Sequence, residues 1–276
     1  MLDLHMHSTA SDGTDTPGQI IDKCARLNLV LSSVTDHDTI DGQREAICAA
    51  QEKRIKYLTG VEFSVQHTGE LHILGYGVDI ESAPFKGMMD ELRASRIERV
   101  HLILKRLAEQ GVPITFEEVE RHAKGNTLGR PHIALTLIER GYSGSMQDAF
   151  STYLNENGLC YVRRRKLNAK EAMDLIHSAG GVSVLAHPRF IKTDDMAALV
   201  AGMKRDGLSG IEVYYPAHSD RDAERFAAIA RANGLLVTAG SDYHGKMRDF
   251  TAIASEKRTS PLLEQTVQLL LDTYAM

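Results

Sequence analysis

The chain has 276 residues, 43% hydrophobic and 25% charged, a balance that excludes disorder or a fibrous fold and allows one large domain or two modest ones. A formal net charge of −5 argues against bulk attraction to nucleic acid or to an anionic membrane. Three cysteines without a CxxC pair fit neither a disulfide framework nor a thiolate zinc site, and no apolar run is long enough to span a bilayer.

The opening segment, MLDLHMHSTASDG, is polar and lacks the apolar stretch of a secretion signal, so a soluble cytoplasmic protein is expected. Short apolar runs then alternate with amphipathic ones: a strand over Leu2–Met6, a helix over Pro17–Asn28, a strand over Leu29–Val34, a helix over Gln43–Lys53 and a strand over Lys56–Val61. Leu71–Tyr76 reads as a fourth strand. After it, residues 83–157 carry helical periodicity with little strand character, which predicts a helical insertion between two barrel segments, 1–82 and 158–276. Alternation resumes with a helix over Ala169–Ala179, strands over Val182–Leu185, Gly210–Tyr214 and Leu235–Ala239, and a closing helix over Pro261–Tyr274. Thr16-Pro17 and the Asn168/Glu171 pair have helix-start spacing, and Gly180-Gly181 and Gly234 stand where helices should end. Seven strands, each followed by a helix or by the insertion, predict an incomplete α/β barrel, in which functional residues gather at the carboxyl ends of strands.

Polar residues fall at those ends. His5 and His7 end the first strand, His37 follows the second and Glu62 the third, while His72 lies in the fourth. His187 ends the fifth, and Asp242 with His244 ends the seventh; Asp12 lies in the loop after the first. Residues two apart on a strand share a face, so His5 with His7, and Asp242 with His244, can each hold one ion together. A lone HxH on a strand is most simply structural, but repeated selection of strand ends is not. Imidazole and carboxylate without thiolate suit manganese, zinc or iron(II), with manganese preferred. His67, His101, His122, His177 and His218 fall in helices or loops and read as surface or packing residues.

These residues resemble the polymerase and histidinol phosphatase family, PHP, whose motifs look like DLHxHSxxSDG, TDHD, AHP and GSDxH. All four stand in order at Asp3–Gly13, Thr35–Asp38, Ala186–Pro188 and Gly240–His244, with GVE at Gly60–Glu62 and LHILG at Leu71–Gly75. The resemblance implies a distorted seven-stranded (β/α)7 TIM-like barrel holding three divalent ions. His5, His7, Glu62 and Asp242 would hold one ion; Glu62 would bridge to a second held by His72 and His187; Asp12, His37 and His244 would hold the third. The placement of the insertion resembles that of the family's small nucleotide phosphoesterases, implying cleavage of a 3′,5′-nucleoside bisphosphate to the 5′-monophosphate and phosphate, or removal of nucleotides from short RNA at the 5′ end. Arg130 and His132, in Gly129–His132, match a family Arg-x-His element and would face the substrate phosphate as catalytic groups. Where relatives show AHPGR this chain shows Ala186-His187-Pro188-Arg189-Phe190, so Arg189 reaches phosphate only after a loop adjustment.

Three ions against three carboxylates would leave roughly a triple positive excess, a natural seat for a phosphate ester, and a water bridging two ions would supply the attacking hydroxide. Asp36 and Asp38 are expected to orient imidazole rings. The basic run Arg163–Lys166 reads as a solvated turn rather than as a polyanion site. Beyond a small phosphorylated substrate, no obligate partner or membrane is expected. Two other readings remain: a histidinol-phosphate-type phosphatase, and a non-catalytic nucleic-acid-binding or polymerase-associated module, against which the complete motif set speaks.

Overall fold

The computed structural model describes residues 1–123, 128–247 and 251–276. The chain begins with β1 (Leu2–Asp3), α1 (Pro17–Arg26), β2 (Leu31–Ser32), α2 (Gln43–Lys53), β3 (Gly60–Ser64) and β4 (His72–Tyr76). Helices α3 (Ala83–Glu109), α4 (Phe116–Glu120), α5 (Arg130–Glu139) and α6 (Met146–Ala149) follow, ending in a π-helical turn over Phe150–Leu154. Part of the expected helical stretch, 124–127, lies outside the described residues. The remainder is α7 (Ala169–Ser178), β5 (Val182–Leu185), α8 (Met196–Arg205), β6 (Gly210–Tyr214), α9 (Asp220–Ala232), β7 (Leu236–Ala239) and α10 (Pro261–Thr273).

Local chemistry accounts for the boundaries. Thr16 and Asn168 cap α1 and α7 through reciprocal bonds with Gln19 and Glu171. Gly180 and Gly234 adopt φ of +79° and +58° just past α7 and α9, a conformation glycine reaches without a Cβ clash.

The strands form two sheets rather than one barrel ladder: β1 with β2 in parallel, and β3-β4-β5-β6-β7. Alternation predicts a helix or the insertion after every strand, yet β3 turns directly into β4, which runs antiparallel to both β3 and β5. The physical reason is length, because residues 65–71 are too few for a parallel crossover, which needs about a dozen or more. This inversion matters for the site: it brings the amino end of β4, with His72 opposite Ser64, to the rim where β3 and β5 finish. β1 and β2 are shorter than expected. After Asp3 the backbone leaves the two-stranded ladder, Leu4 N–H donating to Ala239 O at 3.1 Å and His7 N–H to Tyr243 O at 2.7 Å. Leu58 N–H donates to Ser32 O at 2.9 Å, so one edge of the small sheet is tied to β7 and the other to the segment that leads into β3.

Among the described residues four apolar clusters form the core. Leu4, Leu31, Leu58, Leu74 and Val184 pack between the sheets, and Ile20, Ile21 and Cys24 of α1 meet Ala46 and Ala50 of α2. The largest cluster joins the five-stranded sheet to α7–α10, and Val100–Val162 supplies a separate core for the helices after β4. Each buried Val, Leu or Ile contributes roughly 1.5–3 kcal/mol, so both regions have apolar cores of their own. Among the described residues no helix is long and apolar enough to cross a membrane.

Candidate metal centre

All nine residues expected at the rim converge. Four sets of ligand atoms each lie within 4.8 Å of one another: His7, Asp12, His37 and His244; His5, His7 and Asp242; His5, Glu62 and His187; His37, Glu62 and His72. Glu62 sits at the middle. Its Oε2 is 2.9 Å from His37 Nδ1, 3.2 Å from His7 Nε2 and 3.4 Å from His5 Nε2. Its Oε1 is 2.8 Å from His72 Nδ1 and 3.1 Å from His187 Nε2. Asp242 Oδ1 lies 3.2–3.5 Å from His5, His7 and His244.

Hydrogen bonding does not account for this crowd. Within the buried cluster His5 Nε2, both ring nitrogens of His7, His37 Nδ1, Glu62 Oε2, His187 Nδ1 and His244 Nε2 lack a hydrogen-bond partner. Buried polar atoms are normally satisfied, and each orphan costs about 1–3 kcal/mol. Divalent cations would satisfy donors of this chemistry together, so the residues fit a metal site. Electrostatics agree. Burial opposes ionisation of Glu62, but His37, His72 and His5 hold its carboxyl well below the usual range. Burial likewise opposes Asp12, and His244 and His37 override it downward. Burial pushes His5 down, yet Glu212, Glu62 and Asp242 carry it well above its ordinary value.

The scaffold is shaped to this cluster. A Cβ on Gly240 would stand 2.3 Å from His5 Cβ and 2.8 Å from Glu212 Oε1, and one on Gly13 would stand 2.2 Å from His7 O, so both motif glycines are steric necessities. His187 and Asp242 hold φ of +25° and +54°, a region that costs non-glycine residues about 1–3 kcal/mol and recurs at functional sites.

The carboxylate that orients rings is one sequence reasoning missed. Glu212, fully buried on β6, accepts from His5 Nδ1 at 3.0 Å and from His187 N–H at 2.7 Å. Asp36 instead takes the Ser8 N–H and the hydroxyls of Ser8 and Ser11, while Asp38 pairs with Arg96 and Arg164. Neither hydrogen-bonds a ring, because serines and arginines reach them first. The signal for Glu212 was available: an ionisable residue inside an apolar strand is expensive unless paired.

A cleft of about 870 Å³ opens beside the cluster, sharing Asp12, His37 and His72 and lined further by Arg96, Arg99, Arg130, Arg164 and Lys166. Arg130 lies in it, its guanidinium donating to Leu154 O at 3.1 Å over the Phe150 ring. His132 is buried and does not line the cleft; its Nδ1 accepts the Gly129 N–H at 3.1 Å and so caps α5. Arg189 is not brought there either, since it pairs with Asp222 at the start of α9. The run Arg163–Lys166 is only in part the solvated turn expected: Arg163 and Arg165 are exposed, but the Arg164 side chain is 3% exposed, and Arg163, Arg164 and Lys166 line the cleft. The other histidines do have partners: His101 stacks on Phe116, His122 pairs with Glu139, His67 meets Lys192 O, His177 meets Ser183 Oγ, and His218 binds Val213 O.

The PHP domain family matches residues 3–182. The chain is 34% identical over 249 residues to the 3′,5′-nucleoside bisphosphate phosphatase of Chromobacterium violaceum, covering 88% of this chain and 87% of that protein. It is 33% identical over 253 residues to the Escherichia coli 5′-3′ exoribonuclease Rnm, covering 88% and 85%. A Chromobacterium violaceum protein described as an amidohydrolase, solved with bound sulfate and no metal, superimposes with a TM-score of 0.89 at 30% identity, covering 100% of this chain and 97% of that one. With the cluster complete and the family match spanning most of the chain, this protein belongs to the PHP domain family and is a metal-dependent phosphate-ester hydrolase.

Proposed function

We propose that the protein hydrolyses phosphomonoesters of nucleotides, converting a 3′,5′-nucleoside bisphosphate to the 5′-monophosphate and phosphate, and that the same site takes short RNA from its 5′ end. The carrying observation is the union of orphaned ligand atoms with a cation-lined cleft large enough for a nucleotide. The names of the bisphosphate phosphatase and exoribonuclease relatives point the same way. In this reading three divalent ions, manganese by preference, are held by His5, His7, Glu62 and Asp242; by Glu62, His72 and His187; and by Asp12, His37 and His244. Such ions supply positive charge to the phosphoryl oxygens and acidity to the attacking water.

The chain's own residues do the rest. Arg130, aimed into the cleft, binds the equatorial phosphoryl oxygens in a charge-assisted contact. His132, expected as a catalytic group, accepts at Nδ1 and is buried away from the cleft wall, so its part in this reading is to cap α5 and hold the neighbouring Arg130 in place rather than to donate to the leaving oxygen. Residues 83–157 act as an insertion covering a barrel made of 1–82 and 158–276, the two sheets closing as one distorted ring. A histidinol phosphate fits less well, because its ammonium would meet Arg96, Arg99 and Lys166.

Side-by-side turnover of 3′,5′-adenosine bisphosphate, a 5′-phosphorylated trinucleotide and histidinol phosphate by manganese-loaded protein tests this. The nucleotides should dominate; preference for histidinol phosphate would overturn the assignment.

A further inference from the structure

We propose that Arg99 and Lys166, backed by Arg164, form a second anion subsite, which holds a phosphate of the substrate other than the one being cleaved. The inference rests on the nucleotide reading and adds the residues that recognise the uncleaved end.

Partner accounting within the cleft carries it. Arg96 and Arg164 already converge on Asp38, with Arg164 2.6 Å from Asp38 Oδ2. Of the other lining carboxylates, Asp12 faces His244 and His7, while Glu70 interacts chiefly with His72 and Arg130, and Glu156 with Arg130. That leaves none for two further cations. Among the described residues Arg99 has no carboxylate partner; its Nε is buried without a hydrogen bond and its guanidinium stands 5.4 Å from the centre of the Tyr161 ring. Among the described residues the hydrogen bond of Lys166 Nζ is to Val65 O, at a long 3.4 Å, and the carboxylate it feels, Asp38, is already shared by Arg96 and Arg164.

Leaving such groups unpaired is costly. Burial first, and then Arg164, Arg130 and Arg99, push the Lys166 ammonium down to about 8 against the partial pull of Asp38; burial, Arg130 and Arg164 act on Arg99 in the same downward direction, while its guanidinium stays charged. A fold that keeps like charges together in a half-buried cleft is waiting for an anion to compensate them. With divalent ions bound, the metal cluster would carry a positive excess of its own and so would not supply that anion. At about 870 Å³ the cleft exceeds what one phosphate occupies, and Tyr161, Phe150 and Phe190 line it with rings against which a sugar or base can lie. The second phosphate is either the terminal monoester of a bisphosphate or the next diester of an RNA chain.

Arg99→Met and Lys166→Met remove the charges while keeping the apolar stems. For wild type and both variants, kcat/KM is measured on 3′,5′-adenosine bisphosphate, on adenosine 3′-monophosphate, which has the same scissile ester alone, and on a 5′-phosphorylated trinucleotide. Wild type should prefer a substrate with a second phosphate by at least about tenfold, and each variant should erode that preference by about ten- to a hundredfold, as expected for a charged hydrogen bond. Lys166→Arg should retain most of it. Erosion on the bisphosphate identifies a terminal monoester, and erosion on the trinucleotide alone identifies the diester. No preference in wild type, or an equal fall on all three substrates, overturns the subsite.

Calorimetric binding of adenosine 5′-monophosphate against adenosine separates this from the catalytic reading. If no nucleotide is turned over, yet the monophosphate binds at least about tenfold more tightly and Lys166→Met abolishes the difference, the subsite stands and the phosphatase assignment falls.

Discussion

Glu212→Gln changes one atom of a residue that touches no substrate, yet it should loosen the metal centre. The carboxylate accepts from His5 Nδ1 at 3.0 Å with one oxygen and from His187 N–H at 2.7 Å with the other. A glutamine offers one accepting oxygen, so its amide N–H must face one of those two donors at full burial. An unsatisfied buried donor costs about 1–3 kcal/mol, and at about 1.4 kcal/mol per tenfold this is several- to a hundredfold in metal affinity. That agrees with the 10–100-fold typical of losing a partner behind a metal ligand. If the His5 bond is lost, the ring can turn; if the His187 bond is lost, its φ of +25° loses a restraint. Competition against a graded chelator, with bound metal counted by mass spectrometry, measures the affinity directly, and circular dichroism checks the fold. A folded Glu212→Gln protein binding metal within about twofold of wild type would refute the reasoning.

Lys166 gives a pH signature. Its ammonium is pushed down to about 8, so a phosphate contact made through it is present below that pH and lost as pH rises through it. The ratio of KM for 3′,5′-adenosine bisphosphate to that for adenosine 3′-monophosphate should rise about tenfold between roughly pH 7 and 9.5, and the rise should be much smaller in Lys166→Arg, because a guanidinium starts from a far higher intrinsic value than an ammonium. A flat ratio in wild type contradicts this. Asp38→Asn leaves Arg164 and Arg96 facing each other without their shared carboxylate, with side-chain exposures of only 3% and 13%. Denaturant unfolding should give a loss of about 3–5 kcal/mol, and a loss below about 1 would mean water or another anion already balances the pair.

What was legible in the sequence is what repeats with strand geometry. His5, His7, Asp242 and His244 stood two apart at the ends of apolar runs, which pointed to the right rim, and His5 with His7 do share a ligand set; but all four lie just beyond β1 and β7, and Asp242, at φ of +54°, falls in a different set from His244. β5 and β6 matched their predicted bounds, and the capping boxes at Thr16 and Asn168 formed as their spacing requires. β3 lay further along than Lys56–Val61, so Glu62 is inside the strand, centred between ligands from several others. The inversion of β4 was hidden because apolar runs carry no direction; only the shortness of 65–71 encodes it. Arg96 and Arg99 were missed for a different reason. α3 is long and charged, and a helical pattern cannot say which of its arginines will look into a cleft assembled by distant loops. Arg164 was misread because its partner, Asp38, lies 126 residues away.

Phosphate release from 3′,5′-adenosine bisphosphate by metal-stripped protein, followed as manganese is restored beside a His7→Ala control, tests the central claim most directly. His7 Nε2 stands 3.2 Å from both Glu62 Oε2 and Asp242 Oδ1, so its loss should cripple the cluster. Turnover that is absent after stripping, returns with metal and fails in the control is the predicted result; turnover that survives stripping, or silence from a fully loaded protein, would contradict it.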